Sequence, residues 1–259
     1  MDFKKKLTEK IAYIKHEASR KELRLLVDIS LIQKPTLVQY YSWPYPHAII
    51  DNYLASEGLE QIETFFQECQ GHSANGFQYG AIYDLFFRPV EQKECAAIDA
   101  ISYSFKTLEF IEQLFGMTLS RFTTVTFHDN KPRKEDKYVH SDAVQVVFRN
   151  QNGSGLCGPA LQGSSVQHFL KDNPLPLPAE FIALQRSATT ILYLSRDWKP
   201  GDGGETGIFS LQNGVDIKCA RIEPKFNRLL IMQNTPRARH NYLACSLPNR
   251  KSLIQWFHS

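Results

Sequence analysis

No stretch of this chain stays apolar for the ~20 residues that a membrane-spanning helix needs. The basic start, MDFKKKLTEK, has no apolar core of the kind a secretory signal carries. Cysteine is sparse: Cys69, Cys95, Cys157, Cys219 and Cys245 make five, an odd number, and form no CxxC pair. That spacing argues against a disulfide framework, and reduced thiols in a cytoplasmic protein are expected. Internal repeats and low-complexity tracts are missing as well. The net charge is only +3, and no basic patch interleaved with aromatics stands out, so nothing points to a nucleic-acid partner.

What is present is a chain of 259 residues, 42% hydrophobic, enough for one sizeable core with a small helical annex. Residues 1–26 hold eight Lys/Arg against four Asp/Glu, and Phe3, Leu7, Ile11 and Ile14 recur at helical spacing. Such a helix either docks on the body with a solvated basic face or makes peripheral contact with an anionic membrane through residues 3–14. WPYPHAIIDNYL (44–54) reads as a turn into a short strand. Residues 56–69 read as a helix with Ser56 as N-cap, and a second helical block runs from Val90 to about Phe115. From Leu119 onward the chain changes to short β-branched and aromatic runs divided by turn residues, as in KPGDGG, QNGV and EPKFN. That layout predicts a sandwich or barrel. Residues 149–186, rich in Gly, Ser and Pro, break the rhythm and read as one long loop, either a lid or a mobile insertion.

The chemistry concentrates in KYVHSDAVQVVF (137–148), which reads as a buried strand. Residues i and i+2 of a strand share a face, so His140 and Asp142 are directed together. They form either a hydrogen-bonded structural pair or two ligands of a metal site. A third ligand from a strand remote in sequence is available in His240, within NTPRARHNYLAC. Two histidines and a carboxylate on one face suit non-haem Fe(II), and the same donors also suit zinc. In PNRKSLIQWF, Arg250 and Ser252 again share a strand face. A guanidinium inside a barrel needs a carboxylate, and its planar fork grips one bidentately. No acid on the same strand can serve, whereas 2-oxoglutarate could bridge metal and guanidinium. The alternative is an Arg250 paired with solvent on an exposed face.

Three segments then carry a resemblance. ILYLSRDWKPGDGGETGIFS (191–210), PKFNRLLIMQNTPRARH and NRKSLIQWF stand in the order seen in the Fe(II)/2-oxoglutarate-dependent dioxygenases, and the chain resembles their prolyl-4-hydroxylase-like branch. The resemblance is good over 119–259 and looser before it. It implies an α+β protein with a double-stranded β-helix (jelly roll) core and N-terminal supporting helices. It further implies one integrated domain, with 1–118 as a helical and strand support region and 119–259 as the catalytic core. His140, Asp142 and His240 are implied as iron ligands and Arg250 as the partner of the distal carboxylate of 2-oxoglutarate, with Ser252 assisting. Tyr193 either lines the cosubstrate pocket or is an ordinary core residue. Fe(II), 2-oxoglutarate and O2 are the implied cofactors, with ascorbate as reductant.

The implied reaction is hydroxylation of an unactivated C–H bond in a prolyl or other amino-acid residue of a protein, peptide or small molecule. A lipid-linked sugar at a membrane surface and a non-catalytic jelly-roll binding module are the alternatives. Many relatives also hold the cosubstrate with a tyrosine on the strand before HxD; here TVTFHDN puts Phe127 near that place. His128 and Asp129 read as loop residues and Glu205 as structural. The 130–137 loop and the 149–186 segment are expected around the pocket mouth.

Overall fold

The computed structural model describes residues 21–25, 36–69, 78–84, 105–120, 122–151, 156–157, 161–162, 164–172, 177, 181–247 and 250–259. The basic 3–14 segment and the first part of the 90–115 block lie outside them. Strands β1 (Lys21–Leu25), β2 (Thr36–Tyr41) and β3 (His47–Ile50) precede helix α1 (Ser56–Cys69), and β4 (Gln78–Asp84) precedes helix α2 (Phe105–Phe115). Next come β5 (Phe122–Asn130), β6 (Gln145–Gln151), the short β7 (Leu156–Cys157) and β8 (Leu161–Gln162), and helix α3 (Ser164–Asp172). The chain closes with β9 (Phe181–Tyr193), β10 (Thr206–Gln212), β11 (Val215–Ile222), β12 (Arg228–Gln233), β13 (Arg239–Tyr242) and β14 (Arg250–His258).

Eleven strands form one sheet whose main path is β1-β2-β3-β12-β9-β14-β5-β4, while β11-β10-β13 make a second, three-stranded sheet. Alternation along the strands decides what each face does. On β9, Leu192 joins a core with the helices through Leu59, Ile62, Leu108 and Ile111. Its neighbours Ile191 and Tyr193 instead pack with Ile208 of β10 and Ile222 of β11. The same division on β14 sends Leu253 and Phe257 to the helical side. Arg250, Ser252, Ile254 and Trp256 take the other parity and face the second sheet. Two turns show why particular residues stand where they do. Asn213 and Gly214 join β10 to β11 with φ of 50° and 79°, the left-handed pair that a two-residue hairpin requires. Asn227, at φ 60°, turns the chain into β12, and its amide brackets the Leu54 backbone at 2.8 and 2.9 Å.

Three sequence readings are corrected. HxD does not lie in a strand: His140 makes an isolated bridge to His240, Asp142 follows outside any strand with its carbonyl accepting from Val144 N–H at 2.7 Å, and β6 starts only at Gln145. The bridge partner, β13, is itself only four residues long. Residues 149–186 are not one loop, since they contain the end of β6, β7, β8, α3 and the first part of β9. His128 and Asp129 are not loop residues either; they lie on β5, opposite Ser252 and Lys251 of β14, because the ladder continues to Asn130.

Candidate functional site

The bridge between His140 and His240 is closed by two backbone hydrogen bonds, His140 N–H to His240 O at 3.0 Å and His240 N–H to His140 O at 2.9 Å. It sets the two imidazoles side by side, ring centres 4.5 Å apart. Asp142 completes the group: its Oδ1 lies 3.7 Å from His140 Nε2 and its Oδ2 3.7 Å from His240 Nε2. Ligand-capable atoms of all three side chains lie within 4.8 Å of one another. A separation of 3.7 Å is too long for a hydrogen bond. It suits two atoms that each bond one ion at about 2.0–2.2 Å.

The surroundings fix these three groups. His140 Nδ1 faces the Tyr138 carbonyl at 3.3 Å. A carbonyl only accepts, so the proton sits on Nδ1 and Nε2 turns its lone pair toward Asp142. Asp142 Oδ2 accepts from Trp256 Nε1–H at 2.8 Å and from the Thr189 hydroxyl at 3.1 Å. The Thr189 oxygen in turn accepts from Asn234 Nδ2 at 2.8 Å. Burial pushes the Asp142 carboxyl up, but His240, the indole N–H, Arg186 and His140 together bring it below its ordinary value. It is therefore an anion at neutral pH. Burial drives His240 down and keeps it neutral, with Asp142 acting against that shift. A neutral His240 imidazole beside a carboxylate anion suits metal binding.

Arg250 lies on the same pocket, which encloses about 170 Å³ and is also lined by Ile191, Ile254 and Trp256. It is 4% exposed, so the solvent-paired alternative is overturned. Its Nε–H donates to Gly204 O at 2.7 Å, and its Cζ stands 4.4 Å from the Tyr242 ring centre and 5.2 Å from that of Tyr193. Gly204 has φ of 78°, and a Cβ there would meet Cys245 Sγ at 2.7 Å and Arg250 Cδ at 3.2 Å. The GDGG turn thus does more than reverse the chain: it fits under the arginine and orients it. Among the described residues no carboxylate pairs with Arg250, so its remaining N–H groups are left for an acid from outside.

Residues 178–258 match the family model described as the 2OG-Fe(II) oxygenase superfamily. Over that segment the chain is similar to that superfamily. The matched segment holds His240, Arg250 and Trp256, while His140 and Asp142 precede it. Among solved structures, a Pseudomonas putida prolyl-4-hydroxylase is similar at 17% identity and TM-score 0.50, over 82% of this chain and 91% of that one. A prolyl 4-hydroxylase from Phytophthora capsici is similar at 17% identity and TM-score 0.48, over 82% and 58%. A Trichoplax adhaerens prolyl hydroxylase, solved with a hypoxia inducible factor peptide fragment, is similar at 18% identity and TM-score 0.47, over 82% and 83%. The first of these likenesses, with the two antiparallel sheets, bears out the jelly-roll fold. That superfamily works with Fe(II), 2-oxoglutarate and O2, and the His-Asp-His donors and acid-free arginine of this chain fit that set.

The other sequence candidates stand as follows. Tyr193 is fully buried behind the pocket, its hydroxyl 2.7 Å from Thr206 Oγ1, and it supports Arg250 from below. Ser252 is also fully buried, directly opposite Tyr193 across β9 and β14. Glu205 holds its place through its backbone, accepting from Leu243 N–H at 3.0 Å. Among the described residues no helix is long and apolar enough to cross a membrane. Trp256 and Thr189 were not singled out from the sequence. Their signal was parity: Trp256 shares a β14 face with Arg250, six residues on. A Trp256→Phe variant, which keeps the ring and loses the N–H, is expected to weaken Fe(II) binding about 10–100-fold. Anaerobic metal titration checks this.

Proposed function

We propose that this chain is an Fe(II)/2-oxoglutarate oxygenase that hydroxylates an unactivated C–H bond of a prolyl or other amino-acid residue. In this reading His140, Asp142 and His240 hold Fe(II), and Arg250 holds the distal carboxylate of 2-oxoglutarate. The observation that carries it is the presence, on one pocket, of a three-donor cluster and a buried arginine without an acid. Bound iron supplies activation of O2, coupled to oxidative decarboxylation of the cosubstrate to succinate and CO2. The chain's own residues supply position. Tyr138 O sets the His140 tautomer, and Trp256 and Thr189 hold the Asp142 carboxylate. Ile191 and Ile254 give the pocket dry walls, which strengthens every charge contact inside it.

The amino-acid substrate is supported by two things. One is the likeness of fold to a prolyl-4-hydroxylase. The other is Tyr138, which is 78% exposed beside the His140 ring, centres 5.1 Å apart. An exposed aromatic at the mouth suits packing against a pyrrolidine or another side-chain ring. Succinate release from 2-oxoglutarate with Fe(II) and ascorbate tests the reading against prolyl peptides, free proline and peptides of other residues. Release stimulated by one of these, with a product heavier by one oxygen atom, is the expected outcome. Stimulation by none of them removes the amino-acid substrate.

A further inference from the structure

The end of the pocket around Arg250 carries more polar equipment than that one side chain. Lys137 stands at its rim, and its backbone is fastened to β13: its N–H donates to Tyr242 O at 2.8 Å, and its carbonyl accepts from Asn241 Nδ2 at 2.9 Å. The Lys137 ammonium lies 5.6 Å from the Tyr242 ring centre, the same ring that Arg250 overlies at 4.4 Å. Arg133 Cζ lies 5.9 Å from the same ring centre, so three cations gather at it, of which Lys137 and Arg250 line the cavity. Among the described residues neither has a carboxylate partner. Like charges brought together repel, the Tyr242 ring offsets part of that repulsion, and an anion between them would offset more.

The floor below has its own deficit. His128 of β5 is the register partner of Ser252 on β14, and residues directly opposite in a ladder share a face. His128 also lines the pocket. Its Nε2 and the Ser252 hydroxyl are both shut from water with no hydrogen-bond partner, a costly state for buried polar atoms. Burial, with the charges of Lys137 and Arg250, brings the His128 imidazole down to about 4, so it enters the pocket neutral, with one N–H to donate.

We propose that Lys137 from the rim and His128 from the floor join Arg250 in gripping the distal carboxylate of 2-oxoglutarate, in the role that a strand tyrosine fills in many relatives. This rests on the cosubstrate reading given above. A carboxylate has about four lone-pair sites, room for the outer guanidinium N–H groups, an ammonium and an imidazole N–H together. It would discharge the repulsion between the two cations and give His128 the partner it lacks.

The test is equilibrium binding, not turnover. The full chain, loaded with Fe(II) under anaerobic conditions, is titrated calorimetrically with 2-oxoglutarate and with 2-oxopentanoate, which keeps the keto acid and lacks the distal carboxylate. Wild type is expected to prefer 2-oxoglutarate. Lys137→Met, a change at an exposed position, is expected to cost about tenfold in 2-oxoglutarate affinity, the size of one charge-assisted hydrogen bond, and to leave 2-oxopentanoate unchanged. His128→Phe, which retains a ring of similar size, is expected to narrow the preference in the same selective way. His128→Asn replaces it if the phenylalanine variant does not fold. Variants that keep the wild-type ratio of the two affinities overturn the proposal alone. Wild type that binds neither ligand, or binds both equally, overturns the cosubstrate reading with it.

Discussion

An Asp142→Ala variant is expected to release no succinate from 2-oxoglutarate above the metal-free background, a loss of more than about a hundredfold. The carboxylate is the only negative group in the His140–Asp142–His240 cluster. Loss of a partner that merely orients a ligand already costs about 10–100-fold in metal affinity, and removal of the ligand itself is more severe. It also strips the Trp256 N–H and the Thr189 hydroxyl of their shared acceptor. Unpaired buried donors cost about 1–3 kcal/mol each. Two measurements separate the effects: anaerobic Fe(II) titration for the metal, and thermal unfolding of the apo chain for the stability. Asp142→Asn, which keeps an oxygen acceptor, is expected to retain more stability than the alanine variant while losing the metal as fully. Full turnover in either variant would remove this carboxylate from the metal site.

Arg250→Met is expected to weaken 2-oxoglutarate binding by about 100- to 1,000-fold. The estimate follows from the cost, about 3–5 kcal/mol, of breaking a buried ion pair by removing one partner. In this case the charge left unpaired belongs to the ligand, which then prefers water. Fe(II) affinity measured without cosubstrate is expected to change little, since Arg250 makes no contact with the three ligand side chains in the hydrogen-bond and ion-pair network. That contrast distinguishes loss of a carboxylate partner from general damage to the pocket. Arg250→Lys keeps the charge but not the planar fork, so an intermediate loss is expected.

Much of this site was readable before any coordinates. His140 and Asp142 are polar residues beside the valines of 144–147, and polar groups in such a run are costly unless something compensates them. Period-two parity also holds on β14, where Arg250, Ser252 and Trp256 share a face. What escaped were groups whose role depends on register between remote strands. Nothing local marks Thr189 as a partner of Asp142, 47 positions away, or Gly204 as the acceptor for Arg250, 46 positions away. His128 was hidden by its neighbours, because HDNKP looks like a turn while the ladder in fact runs through it to Asn130. Helix α3 did leave a signal in SSVQHFLKD, with Ser164 able to cap and Val166, Phe169 and Leu170 at helical spacing. The glycines and prolines on either side masked it. The strand expected under HxD failed for a different reason. Alternation describes an extended chain equally well whether or not a neighbour pairs with it, and here only a single bridge does.

The position of β14 has a kinetic meaning. It is the middle strand between β5 and β9, yet it is the last strand along the chain, joining residue 129 to 251 and 193 to 252. Until it docks, no ladder joins β5 and β4 to the β9 side of the sheet. Closing such long loops before any reward is collected slows folding. Since the same strand brings Arg250 and Trp256, a half-assembled chain has neither a tethered carboxylate receptor nor an oriented aspartate. Ligand capture and completion of the sheet become one event.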